Sequence, residues 1–190
     1  MAFAGTLHLA ESATDLEAAW TSATMGELPD PLPGEVYCHT LSDSSILGDV
    51  PDGTHTLTYF GLHTPASLFA EDPETTKAEA VRRAIASLDE VLEDSIDDVV
   101  MRSPSGEPCI EAKIPQDIEA DLAMPGGHIF HGHLDWPWAA HRARLDTPAE
   151  RWGVQTSYDA VLVCGSGARR GGAVSGLGGH NAAMAVLEGS

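Results

Sequence analysis

The sequence predicts an α/β or α+β fold, with a mixed sheet and flanking helices. Three observations predict it. The stretch His55 to Thr64 alternates in the manner of a half-buried strand. Apolar residues recur at spacings of three and four from Ala78 to Leu92, the mark of an amphipathic helix. An apolar run, Ala160 to Cys164, then passes through a glycine-rich stretch into a closing helical segment.

In chain order, Thr6 to Leu9 closes a short extended segment. Ser12 and Asp15 follow at capping-box spacing, so a helix is expected over Ser12 to Met25, ended by Gly26. Its buried side should carry Leu16, Ala19, Trp20 and Ala23. Pro29, Pro31 and Pro33 make the next segment a stiff connector that is neither helix nor central strand. Val36 to Leu41 and His55 to Thr64 read as strands joined by turn-forming residues. In the second, Leu57, Tyr59, Gly61 and His63 share one face.

Asp72-Pro73 opens the clearest helix, with Val81, Ile85, Leu88 and Leu92 on its apolar stripe. Glu79, Arg82, Arg83, Asp89, Glu90 and Glu93 form the opposite face, expected to be solvated. Residues 101–127 are rich in Pro and Gly, with a helical turn expected near Gln116 to Leu122. Ile129 to Leu134 is a short strand candidate. The segment HNAAMAVLE forms the last helix.

Charge narrows the partners. The 190 residues carry 29 acidic and 10 basic side chains, a formal charge of -19, with Lys77 and Lys113 the only lysines. Nucleic acids and anionic lipid surfaces are polyanions that need a basic face, so neither is expected as a partner. No apolar run approaches the ~20 residues of a spanning helix, so no membrane span is expected. Cys38, Cys109 and Cys164 are far apart and form no CxxC, which suits a reducing compartment; with no leader visible at the start, a cytoplasmic location is expected.

Seven of the fifteen residues from Gly165 to Gly179 are glycine. Between a strand and a helix, such a turn lets backbone N–H groups approach an anion, and the helix N-terminus adds its positive end. A complete dinucleotide fingerprint is not present, because Arg170 stands where GxGxxG needs its third glycine. Only 23 residues follow Gly167, too few for a βαβ unit of ~30 residues. A glycine turn that merely lets helix and strand pack closely is the plainer alternative.

The stretch VLVCGSGARRGGAVSGLGGHNAA resembles the C-terminal signature of phytoene-dehydrogenase-type FAD-dependent oxidoreductases. MPGGHIFHGHL resembles that family's G-G-N-I-F-H-G element. The region from LPDPLPGEVYCHTLSDSSIL to HTLTYFGLHTP resembles its substrate-domain strand pair, and all three occur in the expected order. The resemblance implies residues 1–125 as part of a substrate domain and 126–190 as the C-terminal strand and helix of an FAD-binding domain. It implies flavin-mediated dehydrogenation or isomerisation of an apolar substrate, with FAD held only together with an N-terminal dinucleotide-binding half that has no counterpart here.

That half is the implied partner. The alternative is a non-catalytic module that self-associates through the unpaired edge of its last strand. The resemblance places Gly165, Ser166 and Gly167 beside the ribityl and phosphate portion, and Gly172, Ala173, Val174 and Ser175 beside the flavin ring. His131, the histidine of I-F-H-G, becomes the catalytic candidate, either donating a hydrogen bond near flavin and substrate or packing structurally. Two positions depart from the pattern: Arg169-Arg170 replaces a common His-Pro, and His128 replaces an Asn.

His128, His131, His133 and His141 fall within fourteen residues and invite a zinc reading. Their spacing argues against it, since on a strand 131 and 133 share a face that 128 does not, and no metal ligand is assigned. Cys164, in an apolar run, reads as a buried small hydrophobe.

Overall fold

The computed structural model describes residues 2–131, 138–169 and 175–189. Helices and strands combine as expected. By its contacts the chain forms two compact units, Met1–Ile114 and Pro115–Ser190.

In the first unit, β1 (Leu7–Leu9), β2 (Gly34–Tyr37) and β3 (Thr58–Gly61) form an antiparallel sheet in the order β1-β2-β3. Leu7 pairs with Val36 and Leu9 with Gly34, while His8 pairs with Glu35. Because side chains alternate across a strand, Leu7, Leu9 and Val36 share the core face and His8 and Glu35 the other. Gly34 has a steric reason. A Cβ there would run into the Tyr59 ring and come within 2.8 Å of the Phe60 carbonyl.

Helix α1 (Ala13–Thr24) has the expected reciprocal cap between Ser12 and Asp15. Ala19 and Ala23 are buried, but Trp20 is 61% exposed, contrary to expectation. At 3.6 residues per turn Trp20 lies about 100° around the helix from Ala19, off the Ala19–Ala23 stripe, and it meets the His63 ring edge-on. Helix α2 (Pro73–Asp89) starts at Pro73 with Asp72 capping Thr75. Leu88 joins Leu9 and Val36 in the core, with Phe3, Leu7, Tyr59, Leu92 and Ile96 packed around them. A short helix, α3 (Ile96–Val99), is capped by Ser95 and held by Asp89, which accepts from the Ser95 hydroxyl and the Ile96 amide.

The polar face of α2 is more than a solvated surface. Prolines cannot donate to a ladder, and the proline connector leaves carbonyls that need donors. Arg83 donates to the carbonyls of Leu28 (2.5 Å) and Pro29 (3.1 Å). Ser87 and Tyr59 both donate to the carbonyl of Leu32. Glu79 orients Arg83 at 2.6 Å and also receives two bonds from Arg82. The two arginines hold the Glu79 carboxyl at about 2, well below its ordinary value. Burial pushes the Tyr59 phenol up to about 12.

In the second unit, α4 (Pro115–Leu122) realises the turn expected near Gln116. Helix α5 (Pro148–Trp152) carries a Thr147–Glu150 capping box and ends at Gly153 in the left-handed region. The last helix, α6 (Leu177–Gly189), packs on it around Val154, Ala182 and Ala185.

The strand expected over Val36 to Leu41 ends at Tyr37, with His39–Leu41 a 3-10 turn, and the one expected over His55 to Thr64 shortens to Thr58–Gly61. Two strand expectations fail outright. Ile129 to His131 is a turn, because the Phe130 amide bonds to His128 Nδ1 and the His131 amide to the His128 carbonyl, removing donors that a ladder would use. Residues 132–134 lie outside the described residues. Ala160 to Cys164 makes only the Gln155–Leu162 bridge, with Val161 52% exposed and Cys164 exposed. An apolar run becomes a buried strand only where neighbours flank it.

Arg83→Ala is expected to destabilise the first unit by about 1.5–3 kcal/mol, as bonds from a charged donor are lost. Glu79→Gln should lower the melting temperature at neutral pH. A depressed carboxyl stabilises above its unfolded value of 4.5 and loses that effect as pH falls toward about 2, so the wild-type and Glu79→Gln melting curves should converge across that window.

Candidate functional site

The second unit gathers most of the residues singled out from the sequence. After the left-handed turn at Gly153, residues 153–155 run antiparallel to the segment before the glycine turn. Val163 donates to the Val154 carbonyl at 2.9 Å, and Arg169 to the Gly153 carbonyl at 3.3 Å. This frame fixes both ends of the loop Cys164 to Arg169. Within it, the Ala168 amide closes a turn onto the Gly165 carbonyl at 3.0 Å, and Ala168 is buried.

The first turn of α6 lies directly on that loop. A Cβ at Gly178 would stand 2.6 Å from the Gly165 carbonyl oxygen and 2.9 Å from that of Cys164. No side chain fits between them. Gly179, one residue on, has ordinary space, with the nearest atom 3.7 Å away. Ser175 accepts a 3.4 Å bond from the Leu177 amide, ordering the entry to the helix. Farther along, His180 meets the Trp152 ring edge-on, and Arg151 pairs with Glu188 at 3.2 Å.

The loop's own amides have been left available. Those of Gly165, Ser166 and Gly167 have no hydrogen-bond partner among the described residues. A Cβ at Gly165 or Gly176 would meet open space. His131 approaches from the other segment: a Cβ at Gly167 would lie 3.7 Å from the His131 Cβ. His131 is held in the left-handed region, φ 59°, by the turn described above, and it is exposed. Gly165, Ser166, Gly167 and His131 therefore come together, and Ser175 sits at the helix entry. Gly172, Ala173 and Val174 lie outside the described residues.

Cys164 is an exposed carboxyl-side neighbour of the bridge, not a buried hydrophobe. Of the histidines weighed as zinc ligands, His128 turns its Nδ1 to the Phe130 amide. His133 lies outside the described residues. Sequence reading missed a different grouping, in which His8, Glu11 and Glu35 offer ligand atoms within 4.8 Å of one another. Only the register of β1 on β2 reveals it, and no spacing in the sequence encodes that register.

No protein-family model matches the chain, and no solved structure matches it. Among curated proteins it is similar to uncharacterized proteins of Mycobacterium tuberculosis and Mycobacterium bovis, each 53% identical over 188 residues, covering 98% of this chain and 35% of theirs. It is distantly similar to pyridine nucleotide-disulfide oxidoreductase domain-containing protein 2 of Rattus norvegicus, 30% identical over 168 residues, covering 85% of this chain and 26% of that protein. The chain thus spans about a third of the length of its mycobacterial relatives. Among the described residues no helix is long and apolar enough to cross a membrane.

Gly178 and Gly179 make a paired test of the loop contact. Ala is better than Gly inside a helix by ~1 kcal/mol. Gly179→Ala should therefore hold or raise the melting temperature. Gly178→Ala should lower it and alter the near-ultraviolet signal of Trp152, because the carbonyls of Cys164 and Gly165 are backbone and cannot step aside.

Proposed function

We propose that this chain supplies the C-terminal part of a flavin site in an FAD-dependent oxidoreductase of the phytoene-dehydrogenase type. The observation that carries the reading is the convergence of the two motif segments: the I-F-H-G histidine, His131, lies against Gly167 of the glycine turn. The distant similarity to pyridine nucleotide-disulfide oxidoreductase domain proteins supports an oxidoreductase relationship.

The residues fit such a group. Open space beside Gly165 and Gly176, and amides of Gly165, Ser166 and Gly167 that no other described residue uses, allow a phosphate or ribityl chain to approach backbone directly. When bound, the isoalloxazine supplies hydride or electron transfer chemistry. The chain's part is to bind and orient. Gly165, Ser166 and Gly167 would donate amides and the first turn of α6 would add the positive end of its dipole, while the family resemblance assigns the flavin ring to Gly172, Ala173, Val174 and Ser175. His131 would donate a hydrogen bond beside the reacting atoms. Ile129 (58% exposed) and Phe130 (38% exposed) precede His131 and leave apolar surface open that suits an apolar substrate. A dinucleotide-binding half would complete the site as the partner, in a cytoplasmic setting.

A second reading is a non-catalytic module that self-associates. It is favoured by the exposure of Leu177, Val186 and Leu187 on α6. Flavin content separates the two. The chain should hold close to one flavin per complex when mixed with the remaining two thirds of its Mycobacterium tuberculosis relative expressed separately, and much less when Gly178→Ala is introduced. A folded chain that stays colourless in that mixture and sediments as a dimer would support self-association and remove the flavin reading.

A further inference from the structure

We propose that His8, Glu11 and Glu35 form a site for one divalent transition-metal ion, with zinc the best match. The site lies in the first unit and is independent of the flavin reading.

It is built on the sheet face turned away from the core. His8 of β1 and Glu35 of β2 are directly paired across the ladder, so both side chains rise from the same face. Ala10, with φ 50°, turns the chain immediately after β1 and brings Glu11 back to the same place. His8 Nδ1 then lies 2.6 Å from Glu11 Oε2, and ligand atoms of all three residues fall within 4.8 Å.

Two features are costly without a cation. Glu11 is only 15% exposed, and its Oε1 is buried with no hydrogen-bond partner. A carboxylate oxygen removed from water without a partner forfeits its hydration and gains nothing in return, and a bound cation restores that loss. The second feature is the closeness of the Glu11 and Glu35 carboxylates, for which the described residues provide only His8 and Tyr37 as partners. The Tyr37 hydroxyl donates to Glu35. That hydroxyl fixes Glu35 from behind, as an outer-shell group fixes a ligand.

Donor chemistry selects the ion. One imidazole with two carboxylates suits zinc-like borderline metals better than calcium or magnesium, which prefer all-oxygen shells. Three protein ligands leave a fourth tetrahedral position for water. Zinc bonds of about 2.0–2.2 Å require the three donor atoms to draw together, with the metal replacing the His8–Glu11 hydrogen bond. Side-chain rotation of the half-buried Glu11 and Glu35 can supply that contraction, because β1 and β2 already hold His8 and Glu35 face to face.

The test uses the purified chain, stripped with a chelator and titrated with zinc ion alone by calorimetry, with thermal melting alongside. One ion per chain should bind and raise the melting temperature. His8→Gln and Glu35→Gln should each weaken binding roughly tenfold or more, while His141→Gln binds as wild type. If Glu35→Gln does not give a wild-type circular dichroism spectrum, Glu11→Gln carries the same expectation. Absence of saturable binding, or wild-type affinity in folded His8→Gln and Glu11→Gln, would overturn the assignment. So would loss of binding in folded His141→Gln.

Discussion

The second unit depends on a backbone approach that only glycine permits. Gly178 brings the first turn of α6 onto the carbonyls of Cys164 and Gly165, closer than any Cβ allows. The fully buried apolar residues behind it are small, with Ala149, Trp152 and Leu162 packed partly buried against them. Among the described residues of that cluster, Val154 is the larger buried side chain, and Ala182 and Ala185 each remove far less surface than a Leu or Phe would. The Arg151–Glu188 pair is about two-fifths exposed on both sides and adds at most about 1 kcal/mol. Helix position is therefore set by steric fit at its first turn. That contact lies on the same loop whose Gly165, Ser166 and Gly167 amides no other described residue uses and whose Gly167 faces His131.

The first unit solves a different problem. Its connector is stiffened by three prolines, which remove donors while keeping acceptors. Arg83, Ser87 and Tyr59 answer by reaching those carbonyls from α2 and β3. Helix and sheet are thereby fastened through a segment that has no regular structure of its own. Leu9, Val36 and Leu88 fill the space between. The sheet face left over carries His8 and Glu35, whose pairing follows from the register that buries Leu7, Leu9 and Val36 on the opposite side.

Capping and periodicity signals were legible in the sequence, whereas the local capture of amides by His128 was not. Ser12 with Asp15, Asp72 with Pro73, and the three-four spacing of α2 all point to helices where the structure has them. The glycine turn and its following helix were legible as well. What depended on distant partners was not. Trp20 sits outside because α1 packs through alanines, and Arg83 looked solvated because its acceptors lie over fifty residues away in sequence. Ala160 to Cys164 carries strand composition without the flanking strands that would bury it. Ile129 to His131 forms a turn because the His128 ring and carbonyl capture the amides that follow them.

Proximity between the two motif segments can be read directly by nuclear Overhauser contacts in the labelled chain. A cross-peak between the His131 β protons and the Gly167 α protons is expected, alongside contacts of Trp152 with His180. Observing the Trp152–His180 contacts without any His131–Gly167 cross-peak would show a docked α6 with the histidine elsewhere, and would contradict the shared site.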